Sequence, residues 1–315
     1  MKGEAGKGTG IVAMGEPMAE FSDAGEGRYE LSFSGDAVNV AVSAARLGAP
    51  SSIIGAVGDD YFGHNLLDHL KQEGINTNGL SVSRGGFTGI YFITLLGKGE
   101  HVFTYYRKGS SASSLCLTSR QLEIVEKGDF FHFSGIAQAI GNKARRSAKE
   151  AARRAHDAGV TVSYDVNYRP RLWNRRMALN ALREVADLVD IIIVSTEDWH
   201  LLHGGSDDEK SIARQLRDEG FDRVIVKAGA RGSYGVNAGR KVRQRSYPVK
   251  AVDATGAGDA YDAGFLCGLL SGYDFASSMK YASMNAALKC TKKGGIRGLP
   301  TRRRLEAAIA HERNK

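Results

Sequence analysis

Asp253-Ala-Thr-Gly-Ala-Gly-Asp259-Ala-Tyr-Asp-Ala-Gly-Phe265 joins a turn of small residues, an acid at the end of that turn, and a helix-forming run. Gly256 and Gly258 allow backbone φ values that other residues resist. With Ala257 between them, no bulky side chain blocks a close approach to the amides. Successive N–H groups at the start of a helix point at one spot and favour an anion there. Asp259 stands beside that spot, a carboxylate placed to take a proton from a hydroxyl. An anion hole with a base describes phosphoryl transfer to an alcohol, in which positioning and charge stabilisation carry most of the catalysis. The plainer alternative is a Gly-rich strand-to-helix turn with a solvated Asp.

Outward from this run, short β-branched segments alternate with helical ones from about residue 129 onward. Val160–Val166, Ile191–Val194 and Val224–Val226 are separated by Ala-rich helices. That rhythm predicts parallel βαβ units and an α/β fold with a doubly wound, mostly parallel sheet flanked by helices. Residues 17–34 and 85–107 differ, with alternating short runs between Gly and charged turns. They read as antiparallel strands that leave the main sheet as a small β-lid built from two separated segments. There is no internal repeat and no low-complexity linker.

A chain of 315 residues suffices for one large α/β domain. Residues 1–9 read as a flexible tail without the apolar core of a secretory signal. No apolar run approaches the ~20 residues that span a bilayer, so no membrane association is expected. Cys116, Cys267 and Cys290 are odd in number, scattered and without metal-ligand spacing. They suggest free thiols in a reducing, cytoplasmic setting. The net charge of +8 and a pI near 9.3 invite a nucleic-acid reading. The basic pairs lie on separate elements without an accompanying binding motif. Solvated helix faces account for them, and no nucleic-acid partner is expected.

Two further stretches offer ligand groups. In Gly35-Asp-Ala-Val-Asn39, Gly35 lets the backbone approach a ligand while Asp36 and Asn39 present polar groups to hydroxyls; an N-terminal helix turn is the structural alternative. In Val162-Ser-Tyr-Asp165-Val-Asn167-Tyr-Arg169, a strand ends in Asp-x-Asn-x-Arg at the carboxyl edge of the sheet, where open α/β folds bind ligands. Arg169 offers a planar fork to a carboxylate or phosphate. A loop salt bridge with Asp165 is the alternative.

The thirteen-residue run resembles the second signature of the ribokinase-like (PfkB) carbohydrate kinases. It departs from the familiar pattern only at Ala254. Residues 35–60 resemble the first signature, with Ser34 where the pattern opens on a first glycine. The resemblance extends over residues 10–305 and implies Asp259 as catalytic base and Gly256, Ala257 and Gly258 as the anion hole. Residues 162–173, Phe131–Ile136 and Tyr105–Ala112 further resemble the 2-keto-3-deoxygluconate kinases, a branch of that family. The implied substrate is a sugar acid surrounded by Tyr91, Tyr106, Arg107 and Arg169, the two arginines holding its carboxylate or, alternatively, phosphate. Tyr91 and Tyr106 could equally serve dimer packing through the lid, the expected homodimer contact. Asn167, Ser195, Lys227, Gly229, Gly232 and Asn285 are the implied nucleotide side. Ser195-Thr-Glu197-Asp198 stands in place of the family's Asn-x-x-Glu motif, so Glu197 or Asp198 is expected to act on Mg2+ through water, or else to serve as helix-start acids. ATP and Mg2+ are the implied cofactors, with K+ as a further possibility at Asp253 and Thr255. A fructokinase or other hexose kinase, and a sugar- or nucleotide-binding regulator without turnover, are the rival readings.

Overall fold

The computed structural model describes residues 8–96, 101–205 and 208–313. Residues 1–7 of the expected tail lie outside these. Thr9 is already tied down, its N–H donating to the Lys127 carbonyl at 2.8 Å.

Among the described residues the strands are, in chain order, β1 (Ile11–Met14), β2 (Met18–Gly25), β3 (Arg28–Ser34), β4 (Ser51–Gly58), β5 (Asn76–Ser83), β6 (Gly89–Leu95), β7 (His101–Tyr106), β8 (Phe130–Ser134), β9 (Thr161–Asp165), β10 (Ile191–Ser195), β11 (Arg223–Lys227), β12 (Ser233–Asn237) and β13 (Arg240–Gln244). The main sheet runs β13-β12-β11-β10-β9-β8-β1-β4-β5. Its pairs are parallel except β11–β12 and β12–β13. The chain steps from β1 to β4 on one side and returns to β8 on the other, so the strand order reverses at β1. A crevice for ligands opens at such a point.

Residue parity shows how the two faces are filled. Ile11, Ala13, Ile53, Ile191, Ile193 and Ile225 join one apolar cluster. Their neighbours Val12, Met14, Ile54, Ile192, Val194 and Val224 join the other. Strands buried on both faces need continuous apolar runs, which is why these segments carry no alternation. One covering helix, Asn142–Asp157, buries Ala144, Ala148, Ala151, Ala152 and Ala155, a stripe at helical spacing.

The expected lid is a separate sheet of order β3-β2-β6-β7. Two antiparallel hairpins, β2–β3 and β6–β7, meet through a parallel pairing of their inner strands β2 and β6. The lid therefore joins segments distant in sequence by direct strand pairing.

Candidate active site

Successive strands of the main sheet end on polar residues: Ser134 closes β8, Asp165 β9, Ser195 β10 and Lys227 β11. The parallel register aligns them, Ser134 opposite Asp165 and Ser195 opposite Lys227. Glu16 lies two residues past the end of β1. The carboxyl edge thus presents a row of hydrogen-bonding groups beneath the lid.

Helix Ala257–Leu270 starts above this row. Gly256 caps it with φ 74°, a left-handed conformation suited to glycine. The Ala257 N–H turns back to the Ala254 carbonyl at 3.0 Å. The amides of Gly258 and Asp259, second and third in the helix, have no carbonyl partner within it. The amides left free to meet an anion are accordingly those around Gly258, whereas the Ala257 N–H is already engaged. Asn39 Nδ2 donates to Asp259 Oδ2 at 2.7 Å, and Asn39 Oδ1 accepts from Ser34 Oγ at 3.0 Å. Burial and the nearby Asp36 carboxylate push the Asp259 carboxyl up to about 6, against the pull of Asn39 and Lys227. A carboxylate with that affinity suits proton abstraction near neutrality.

Lys227 sits at the edge of the anion hole: a Cβ added to Gly258 would lie 3.3 Å from its Nζ. It donates to Asp165 Oδ2 at 2.9 Å and to Asp262 at 3.0 and 3.2 Å. Burial alone would raise the Asp165 carboxyl, but Lys227 holds it below the ordinary range. Asp165, Asp259 and Asp262 lie close enough together to surround a cation, and the Lys227 ammonium already serves two of them. Asp262, one turn beyond Asp259, is a member of this cluster that went unassigned in the sequence.

On the sugar side, burial raises the Asp36 carboxyl, which accepts a hydrogen bond from Ser134. Arg107 pairs with Glu16, whose other oxygen accepts from Ser110 Oγ at 2.5 Å. Arg107 Nε has no hydrogen-bond partner among the described residues. Arg169 Nη1 donates to Asp198 Oδ1 at 3.1 Å and to the Tyr168 carbonyl at 3.0 Å. The alternative of a loop bridge from Arg169 to Asp165 is not what forms; Arg169 bridges to Asp198. Both arginines act electrostatically on Asp36 and on Tyr105. Tyr91 is buried, stacks on Tyr105 at 5.4 Å and donates to Glu20.

Of the two readings of Tyr106, its position agrees with packing on the outer lid face rather than with a sugar contact. It is 60% exposed and packs edge-on against Phe92, on the opposite face of the lid from Tyr91 and Tyr105. Strand alternation is the reason, and Tyr105 is the residue that lies under the Arg107 guanidinium, 5.6 Å from its ring centroid. Gly35 needs its φ of 129° because a Cβ there would strike the Glu16 carbonyl, so its close approach is to this protein's own backbone. Glu16 and Glu20, both fully buried, were not singled out in the sequence.

The nucleotide-side expectations divide. Asn167 adopts φ 37°, an uncommon value for a side-chain-bearing residue. Gly229, at φ 56°, faces open space, whereas a Cβ at Gly232 would strike the Gln244 carbonyl. Asn285 is fully buried and donates to Ser43 Oγ and the Ala260 carbonyl, fastening helices together, while its Oδ1 has no hydrogen-bond partner among the described residues. Glu197 is exposed, and Ser195 Oγ caps the helix by accepting from the Asp198 N–H. Burial raises the Asp198 carboxyl to about 6. The residues present fit a hydrated magnesium ion: Asp165 Oδ1 is buried without a hydrogen-bond partner and lies within electrostatic reach of Asp198. The Asp253 oxygens expected to face a potassium ion already have partners within the protein. One carboxylate oxygen accepts from the Thr255 N–H and the other from the Gly294 N–H, while the Asp253 carbonyl accepts from Lys289.

Residues 10–302 match the model of the pfkB family carbohydrate kinases, and the chain belongs to that family. It is 31% identical to the 2-dehydro-3-deoxygluconokinase of Thermoproteus tenax over 309 residues, 95% of this chain and 94% of that one. It is also 31% identical to fructokinase-2 of Oryza sativa subsp. japonica over 318 residues, 96% and 93% of the two chains. A candidate ribokinase II from E. coli in complex with ATP and Mg2+ superposes with a TM-score of 0.86, at 27% identity, covering 96% of this chain and 99% of that one. A fructokinase double mutant from Vibrio cholerae O395, in its fructose, ADP and potassium ion bound form, gives 0.85 at 28% identity, covering 95% and 98%. No helix among the described residues is long and apolar enough to cross a membrane.

Proposed function

We propose that this carbohydrate kinase phosphorylates the terminal hydroxyl of a 2-keto-3-deoxy sugar acid, 2-keto-3-deoxygluconate, at the expense of MgATP. The observation that supports the acid is the joint electrostatic action of Arg107 and Arg169 on Asp36 and Tyr105, with Arg107 Nε buried and without a hydrogen-bond partner among the described residues. In this reading Arg107 and Arg169 hold the sugar carboxylate, Asp36 and Asn39 accept and donate to hydroxyls, and Tyr105 and Tyr91 wall the sugar under the lid. Asp259 removes the proton of the terminal hydroxyl. Its oxygen bonds to the γ-phosphorus as the bond from that phosphorus to the β-phosphate oxygen breaks, and ADP leaves. The amides at Gly258 and the Lys227 ammonium meet the charge on the transferring group. When bound, magnesium neutralises phosphate charge, and Asp165 and Asp198 are the residues that would hold it through water.

Fructose phosphorylation is the second reading, favoured by the acids already beside the arginines: Glu16 balances Arg107 and Asp198 engages Arg169. ATP-dependent ADP release with 2-keto-3-deoxygluconate and with fructose, offered separately at equal concentration, decides between them. A higher kcat/KM for the acid supports the clamp; a higher value for fructose overturns it and leaves the kinase. Turnover of neither sends the search to a wider sugar panel. A homodimer through the outer lid face belongs to the same proposal, supported by the exposed Tyr29 and Tyr106 beside Phe92.

A further inference from the structure

Lys289 is the last residue of helix Phe275–Lys289 and is fully buried. Burying a lysine is costly unless its ammonium is well partnered. The Lys289 Nζ reaches the turn that feeds the anion hole and donates to the Asp253 main-chain carbonyl at 3.0 Å. Around it two loops are laced together. The Val252 and Asp253 amides both donate to the Cys290 carbonyl, and the Asp253 carboxylate accepts the amides of Thr255 and Gly294. Gly295 then lies against Ser34 and Asn39, the residues that support Asp259. Helix Phe275–Lys289 is set close to the helix of Asp259 because Gly264 and Gly268 leave no Cβ between them and Ala282 or Ser278. Lys289 therefore arrives at a fixed place, one residue pair away from the catalytic turn.

We infer that the Lys289 ammonium is a resident monovalent cation that orders the Asp253–Gly256 turn, so that this kinase works without potassium. The inference rests on the kinase reading and adds the ion dependence of its turn. An ammonium group is close to potassium in charge and size and satisfies itself with oxygens. Here it takes the carbonyl while each carboxylate oxygen already accepts one backbone amide, so an external ion would have to compete with the ammonium for the turn. The fructokinase neighbour solved with a bound potassium ion makes the contrast testable. Burial draws the Lys289 ammonium down from the usual lysine range and the adjacent Asp253 carboxylate opposes that. Lys289 acts through the turn and is a positioning residue.

The test compares wild type with Lys289→Ala in KCl and in tetramethylammonium chloride at equal ionic strength, about 0.15 M. Turnover of whichever sugar is accepted and the thermal midpoint Tm are both read. Wild type is expected to change by less than about twofold in kcat/KM and not measurably in Tm. Lys289→Ala is expected to lose at least about tenfold in kcat/KM without potassium. Potassium or ammonium ions should restore much of that loss, and lithium should not. Potassium activation of the wild type by about tenfold or more overturns the inference. So does full activity of Lys289→Ala in tetramethylammonium, or a loss that no monovalent ion restores. If Lys289→Ala does not fold, wild-type Tm in the two salts still decides, since a rise specific to potassium refutes a resident cation. That measurement needs no sugar, so a wrong substrate cannot be mistaken for a wrong ion.

Discussion

Replacing Asn39 by Ala tests the base through its hydrogen bond rather than by deleting it. Asn39 donates to Asp259 at 2.7 Å and favours the charged carboxylate, opposing burial and Asp36. A hydrogen bond to a charged group contributes about 1.5 kcal/mol at the low end. At 1.36 kcal/mol per pKa unit, its loss raises the Asp259 carboxyl by about one unit, from about 6 to about 7. In the proposed mechanism the ionised form is the base, so activity is expected to fall as pH drops through the carboxyl's pKa, and the acid limb to move upward in the variant. At about pH 6 the ionised fraction drops from about a half to about a tenth, a fivefold loss that fades above about pH 8.5. The assay is the pH dependence of kcat/KM, which reports groups of the free enzyme. Asn39 also faces the proposed sugar, so weaker binding lowers the whole profile; the position of the limb, not its height, carries the test. Profiles of wild type and variant that superimpose after scaling would refute the pairing of Asn39 with the base.

Asp259→Asn should lower kcat by about a hundredfold to ten-thousandfold while ATP affinity, measured by calorimetry, stays within about twofold; retained turnover removes Asp259 from the base role. Tyr105→Ala should raise the sugar KM by about tenfold, as expected for a lost aromatic contact worth more than ~1 kcal/mol. Tyr106→Ala should leave KM within about twofold and weaken self-association in sedimentation, since its ring lies on the outer lid face. The reverse pattern in the two tyrosine variants would place the sugar on the other face.

The catalytic end of the site was legible because its residues stand where the chain changes state. Asp165, Ser195 and Lys227 each follow a β-branched run, and Asp259 follows the glycines that begin a helix. Local pattern therefore located the carboxyl edge of the sheet. The sugar side was less legible, because it depends on pairings between distant segments. Tyr105 and Tyr106 must face opposite ways, but which of them meets Tyr91 is set by the β6–β7 register, Tyr91 opposite Tyr105. Glu16 and Glu20 become conspicuous only when Arg107, Ser110 and Tyr91 arrive from more than seventy residues away. The partners of Asn285, Ser43 and Ala260, were likewise illegible, because they lie in helices that only the fold brings to it.

The charges around Asp259 explain how a polyanionic donor is tolerated beside three aspartates. Four ionisable groups, Asp165, Asp259, Asp262 and Lys227, share one buried cluster. If all three acids were ionised, the cluster would carry a net charge of −2 and repel the incoming phosphates. Lys227 holds Asp165 ionised, whereas burial and its acidic neighbours push Asp262 well above the ordinary carboxylate range. A proton on Asp262 would bring Asp165, Asp262 and Lys227 to a net charge of zero and leave Asp259 as the unbalanced charge of the cluster. In that state the proposed base would keep its proton affinity near neutrality without a surplus of negative field, with the ammonium beside Gly258. Removing Lys227 would cost more than a phosphate contact, because it would leave a buried acid without its partner and draw Asp259 further from the ionised state.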